Sequence, residues 1–110
     1  MRIFIDIGHP AHVHYFKNTI GSLIKDGHSL LISAREKDVT HQLLNNYNIP
    51  FISRGKGQDG LFGKFLYLFK ANFQLYKLSK NFEPDLFLSF ASPYAGQVAS
   101  ILKIPHISFT

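Results

Sequence analysis

Apolar and polar positions change period in a regular way along this chain of 110 residues. Residues 2–7, Arg2-Ile3-Phe4-Ile5-Asp6-Ile7, are apolar at nearly every position, the pattern of a strand covered on both faces. From His12 to Asp26 the period becomes helical, with Val13, Phe16, Ile20, Leu23 and Ile24 recurring. Gly27 then suits a left-handed cap at the end of that helix. The alternation repeats. A second strand is predicted at His28 to Ser33, a second helix at Val39 to Tyr47 with Val39, Leu43 and Leu44 inward, and a short third strand at Pro50 to Ser53. A long helix follows from Leu61 to Phe82 and stops before Pro84, because the residue preceding a proline is disfavoured in helical backbone. Asp85 to Phe90 reads as a fourth strand, Pro93 to Leu102 as a helix and Pro105 to Phe109 as a fifth strand.

Strands alternating with helices predict one α/β domain over residues 1–110 with a parallel sheet. Right-handed crossovers make the simplest arrangement a Rossmann-like doubly wound sheet, its five strands in the order 3-2-1-4-5. The topological switch then falls between strands one and four, where ligands of such sheets bind. Gly8, His9, Pro10 and His12 line that crevice from one side, and Ser89, Ala91, Ser92, Pro93 and Tyr94 from the other.

Charge narrows the partners. Twelve Lys and Arg against seven Asp and Glu leave a net charge of +5, which favours anionic ligands or surfaces. The absence of cysteine excludes disulfides and thiolate metal sites and fits a cytoplasmic protein. Asp6 and His9 interrupt the early apolar run, so no signal peptide is expected. No run approaches the ~18 apolar residues of a spanning helix.

Three of the six histidines, His9, His12 and His14, crowd the turn after the first strand. A metal site is not expected, since residues two apart on a helix diverge and no carboxylate but Asp6 is near. The alternative is that His9 and His12 hydrogen-bond an anionic or sugar ligand where a helix N-terminus already favours negative charge. Asp6 then either accepts hydrogen bonds from its surroundings or orients His9 as a base. Gly8 stands alone after the first strand, without the G-x-G-x-x-G of dinucleotide sites, and no Walker sequence is present. No cofactor is therefore expected. The basic loop at 54–60, with Arg54 and Lys56, and Arg35-Glu36-Lys37 after the second strand are further candidates for an anionic group.

The helix at 61–82 carries two apolar bands. Phe62, Phe65, Leu66, Phe69, Phe73 and Tyr76 form one, expected to cover the sheet; Tyr67, Leu68, Ala71, Leu75 and Leu78 form the other. One stripe serves a surface helix, so a second implies burial on two sides, a partner, or a membrane surface held by Lys64, Lys70, Lys77 and Lys80.

The run Ile5-Asp6-Ile7-Gly8-His9-Pro10-Ala11-His12-Val13-His14-Tyr15-Phe16-Lys17 resembles the opening motif of an uncharacterised archaeal and bacterial family with a GT-B type fold. Gly27-His28-Ser29-Leu30-Leu31-Ile32-Ser33-Ala34-Arg35 and Phe82-Glu83-Pro84-Asp85 resemble blocks shared with GT-B glycosyltransferases and UDP-N-acetylglucosamine 2-epimerases. The resemblance implies the N-terminal, acceptor-binding half of a two-domain parent, inactive alone. Its partner is a C-terminal half, in the same parent chain or a separate subunit, that binds the nucleotide-sugar. On that expectation His9 is the catalytic base and Asp6 orients it, while Gly8, His12, Arg35, Ser89, Ser92 and Tyr94 bind substrate. The acceptor is a sugar, lipid-linked if the helix at 61–82 meets the inner face of the membrane peripherally. The competing expectation is a non-catalytic binding domain for a phosphorylated ligand or a protein. Nucleic-acid recognition has charge in its favour but no motif, and no specific nucleic-acid partner is expected.

Overall fold

Strand β1 (Arg2–Ile7) pairs in parallel with β2 (Ser29–Ala34) on one edge and with β4 (Leu86–Phe90) on the other. Strand β3 (Ile52–Ser53) extends the sheet beyond β2, and β5 (His106–Phe109) beyond β4. The order is thus β3-β2-β1-β4-β5, all parallel, as the alternation of elements predicts. This computed structural model describes residues 1–35, 39–53, 61–90 and 93–109, with backbone alone for 61–69, 71 and 93.

Period-two alternation divides the core between the two faces of the sheet. Ile3, Ile5 and Ile7 point to the face covered by α1 (Pro10–Lys25) and α2 (Thr40–Asn46), packing with Val13, Phe16, Ile20 and Leu44. Phe4 points to the other face. There it stacks on Phe87, with ring centroids 5.1 Å apart, among side chains of α3 (Leu61–Phe82) and α4 (Pro93–Leu102).

Strand β1 and the helices at 61–82 and 93–102 fall where predicted, and the other elements move by one or two residues at one or both ends. Helix α1 begins at Pro10 and not at His12, because His9 caps it and proline, lacking an N–H, suits the first turn. All four helix-to-strand links hold a residue in left-handed backbone: Gly27 (φ 88°), Asn48 (φ 56°), Glu83 (φ 55°) and Lys103 (φ 58°). At Lys103 the turn closes through Lys103 N–H to Ser100 O and Ile104 N–H to Ala99 O, so orphan helix carbonyls are satisfied. Only the first of these four was legible from residue type.

Among the described side chains of α3, both predicted bands contribute to the docking: Tyr76 of the first packs against the core beside Leu75 and Leu78 of the second. Leu75 is wholly buried and Leu78 half-buried, both from the second band, whereas Phe73 of the first is 68% exposed. A helix with two apolar bands is ambiguous by itself. Here Leu75 shares its cluster with Ala95, Val98 and Ala99 of α4, and that neighbour settles the rotation. Among the described residues no helix is long and apolar enough to cross a membrane.

Two stability predictions follow from this packing. Phe87→Ala empties a fully buried site and should cost about 3–5 kcal/mol, a large part of the ~5–15 kcal/mol of a typical domain, read as a lower urea midpoint. Lys103→Gly relieves left-handed backbone strain and should raise stability by about 0.5–1 kcal/mol in the same measurement, net of the entropy a glycine loses on folding.

Candidate functional site

The carboxyl ends of β1 and β4 meet at the switch point, with Asp6 opposite Ser89 in register. The chain leaves β1 through Gly8 and His9 and enters α1 at Pro10. His9 is the N-cap, in extended backbone, and its Nδ1 accepts the Ala11 N–H at 3.1 Å. His12, one turn on, accepts the Gly8 N–H through its own Nδ1 at 3.2 Å. Each imidazole therefore uses its Nδ1 lone pair on a main-chain donor. A neutral ring held in that way carries its hydrogen on Nε2 and offers a donor there.

The two rings lie 5.9 Å apart by centroid. His12 also stacks on Phe90 at the end of β4, with centroids 4.8 Å apart and planes 19° from parallel. Nothing in the spacing of residues 12 and 90 announces that contact; only the pairing of β1 with β4 makes it. His14 turns the other way, edge-on to Tyr47 at 6.2 Å. Among the described residues, no group of three His, Cys, Asp or Glu is placed to hold a metal ion.

Asp6 lies on the opposite face from the one α1 covers, since it alternates with Ile5 and Ile7. It is 1% exposed and accepts the Ser33 hydroxyl at 2.8 Å. A carboxylate so deeply buried needs hydrogen bonds whatever its role, because the loss of water must be compensated. The structure thus groups Asp6 with Ser33, and the side-chain alternation of β1 sets it on the far face from His9's helix. Ser89 is fully buried on the same face, and its Oγ lies 2.6 Å from Nε2 of His106. Burial lowers the His106 pKa from its ordinary value, and the charge of Asp6 partly raises it again. Neither Ser33 nor His106 was a candidate by sequence. The available signal was weak: each is a polar residue in an otherwise apolar strand, and their shared row appears only with the register.

Arg35 follows β2, and its N–H bonds to Ile7 O at 2.9 Å, which holds it beside the histidine turn. Tyr94 is half-buried on the side of Phe4 and Phe87. Ser92 and the basic loop with Arg54 and Lys56 lie outside the described residues, as do Glu36 and Lys37. A groove of about 510 Å³ runs elsewhere, between α1 and residues 47–50, with Ile20, Ile24, Leu30 and Ile49 among its walls. Its one cation, Lys17, lies 3.4 Å from the Tyr47 hydroxyl. The groove is mainly apolar and holds none of the candidate residues.

Comparison with known proteins agrees with this architecture. The uncharacterized protein MJ0665 of Methanocaldococcus jannaschii is 29% identical over 105 residues, covering 96% of this chain and 31% of its own length. The chain thus spans about a third of the curated relative it matches. MurG of Acinetobacter baumannii superposes with a TM-score of 0.79 at 19% identity, over 98% of this chain and 34% of the other. A UDP-GlcNAc 2-epimerase of Neisseria meningitidis, solved with UDP-GlcNAc bound, gives 0.75 at 15% identity, over 98% and 32%. The Streptomyces glycosyltransferase SsfS6 gives 0.76 at 20% identity, over 98% and 38%. These structures share the fold. The family profile described as "Protein of unknown function (DUF354)" matches residues 1–110, and the chain belongs to that family.

Proposed function

We propose that this chain is the acceptor-side half of a GT-B-type sugar transferase or related sugar-nucleotide enzyme, with its ligand at the turn between β1 and α1. The observation that carries the proposal is the pair of histidines whose Nδ1 atoms are held by Ala11 and Gly8 N–H groups, at the N-terminus of a helix of 16 residues. Two imidazole donors and the positive end of a helix dipole suit the oxygens of a phosphate, diphosphate or sugar. Arg35 beside the turn adds positive charge. The likeness in fold to enzymes of UDP-GlcNAc and to a glycosyltransferase supports a sugar-nucleotide setting. On this proposal Gly8, His9, His12, Arg35, Ser92 and Tyr94 contact ligand, and Asp6 and Ser89 hold the sheet ends beneath. The nucleotide-sugar half comes from the rest of a longer chain or from a second subunit.

The capped geometry of His9 bears on its role. A general base needs a lone pair within reach of the acceptor hydroxyl, and His9 has committed one nitrogen to Ala11. Base catalysis therefore requires the cap to open when substrate binds. A second reading, in which the domain binds a phosphorylated ligand without catalysis, is favoured by the same hydrogen bond, because the closed cap leaves His9 a donor.

Exposed Phe73, with Lys70, Lys77 and Lys80 also exposed on α3, supports peripheral contact with acidic lipid through that helix. Such contact would bring a lipid-linked acceptor to the domain.

Titration of the chain with UDP-GlcNAc, UDP and N-acetylglucosamine 1-phosphate, followed by amide NMR, should shift Gly8 to His12 first. His9→Ala and His12→Ala should each weaken binding about tenfold, the loss of one hydrogen bond to a charged group. Shifts confined to the groove beside Lys17, or none at millimolar ligand, would overturn the site. With both halves assembled, a catalytic His9 predicts a loss in kcat for His9→Ala, whereas a binding role alone predicts a rise in KM with kcat kept. Vesicles rich in phosphatidylserine should retain the wild type at low salt and release Phe73→Ser; equal retention of both would exclude α3 as the contact.

A further inference from the structure

The sheet face beneath α3 and α4 is apolar at the amino ends of its strands and polar at their carboxyl ends. Ser33, Asp6 and Ser89 stand in one register row on β2, β1 and β4, each 1% exposed or less. His106 completes the row from β5. Its register partner is Phe87, but the ring leans two residues along to bring Nε2 within 2.6 Å of Ser89 Oγ. Gly96 of α4 lies against the ring, where a Cβ would stand 3.5 Å from both Cε1 and Nδ1, an ordinary contact distance.

Ser89 is followed in β4 by Phe90, whose side chain points to the opposite face of the sheet and carries the stacked ring of His12, whose Nδ1 in turn holds Gly8. A half-buried imidazole at the sheet edge is thereby connected to the histidine turn through the main chain of β4 between Ser89 and Phe90.

We propose that His106 is a positioning residue for the turn between β1 and α1, acting on His12 through Ser89 and Phe90. Its consequence for ligand rests on the anion-binding reading of that turn; the coupling itself does not. The Ser89–His106 bond has two senses. With a lone pair on Nε2, the ring accepts the Ser89 O–H. With hydrogen on Nε2, as in the protonated ring, it donates to Ser89 Oγ and turns the hydroxyl hydrogen toward another acceptor. The anion in the adjacent register position is Asp6. Protonation thus reverses a short bond at the end of β4, next to the residue that supports His12.

Among the described residues of α3, which packs on this face beside α4, Lys70, Lys77 and Lys80 are exposed and Tyr76 packs against the apolar cluster. On β1 the second charged group, Arg2, is engaged at the amino end by Phe82 O at 2.6 Å. Strand β4 carries no titratable side chain, and α4 carries only Tyr94. Burial lowers the His106 pKa and Asp6 partly restores it, so its protonation falls below the ordinary ~6.5. A lowered folded value means that the stability this group contributes is full above about pH 6.5 and lost as pH falls through the folded value.

The test is NMR of histidine ring signals in the 110-residue chain, titrated from about pH 8 to about pH 5 without ligand. The expected result is that His12 shows, beside its own titration, an inflection at the midpoint of His106, and that His106→Gln and Ser89→Ala each lose it. Acid destabilisation in urea should also be shallower in His106→Gln than in the wild type. A wild-type His12 curve without that inflection overturns the proposal and needs no variant to fold. So does an inflection that survives in either variant, or an acid loss in the wild type no steeper than in His106→Gln. Because no ligand is present, failure here leaves the phosphate titration standing, and failure of that titration leaves this coupling standing.

Discussion

Strand β1 has a hydrogen-bonded neighbour on each edge and packed helices on each face, and its register sets Asp6 between Ser33 and Ser89. That placement decides what the carboxyl end of the sheet can do. A strand paired on both edges cannot slip by one residue without turning Ile3, Ile5 and Ile7 to the wrong face, so its end is held in position. Gly8 and His9 emerge from that fixed end. The same constraint buries a carboxylate in a place that would otherwise select an apolar residue. Its burial is offset by the Ser33 hydroxyl, while its charge acts on His106 across the row.

On the other face, the histidine turn is stiffened by its own side chains. Both Nδ1 atoms accept main-chain donors: His9 takes the Ala11 N–H, which the helix start would otherwise leave to water, and His12 takes the Gly8 N–H just before the cap. The ring orientations are thereby set in advance, which on the proposed reading lowers the entropy lost when a ligand binds. Stacking of His12 on Phe90 ties this preorganisation to β4. The turn therefore answers to both strands that flank the switch point.

Helix α3 shows how a partner resolves what a helical projection leaves open. Its bands are similar in apolar content, yet Leu75 goes inward and Phe73 outward because α4 occupies the space beside Leu75. Among the described side chains of α3, Phe73 and the lysines Lys70, Lys77 and Lys80 are exposed.

The sequence by itself determined the class of fold, the strand order and most of the elements, because those depend on period and on the handedness of crossovers. It also located the histidine turn, since residues 8–12 are local to one another and their position at a strand end follows from the topology. It did not determine which face Asp6 serves with His106, that Leu75 and not Phe73 of α3 goes inward, or that Phe90 supports His12. Those depend on register between strands far apart in the chain, on helix rotation against a neighbour and on the lean of one ring along its strand. Contacts of that kind have no period to be read. They exist only once the strands are paired, and the tertiary structure alone decided them.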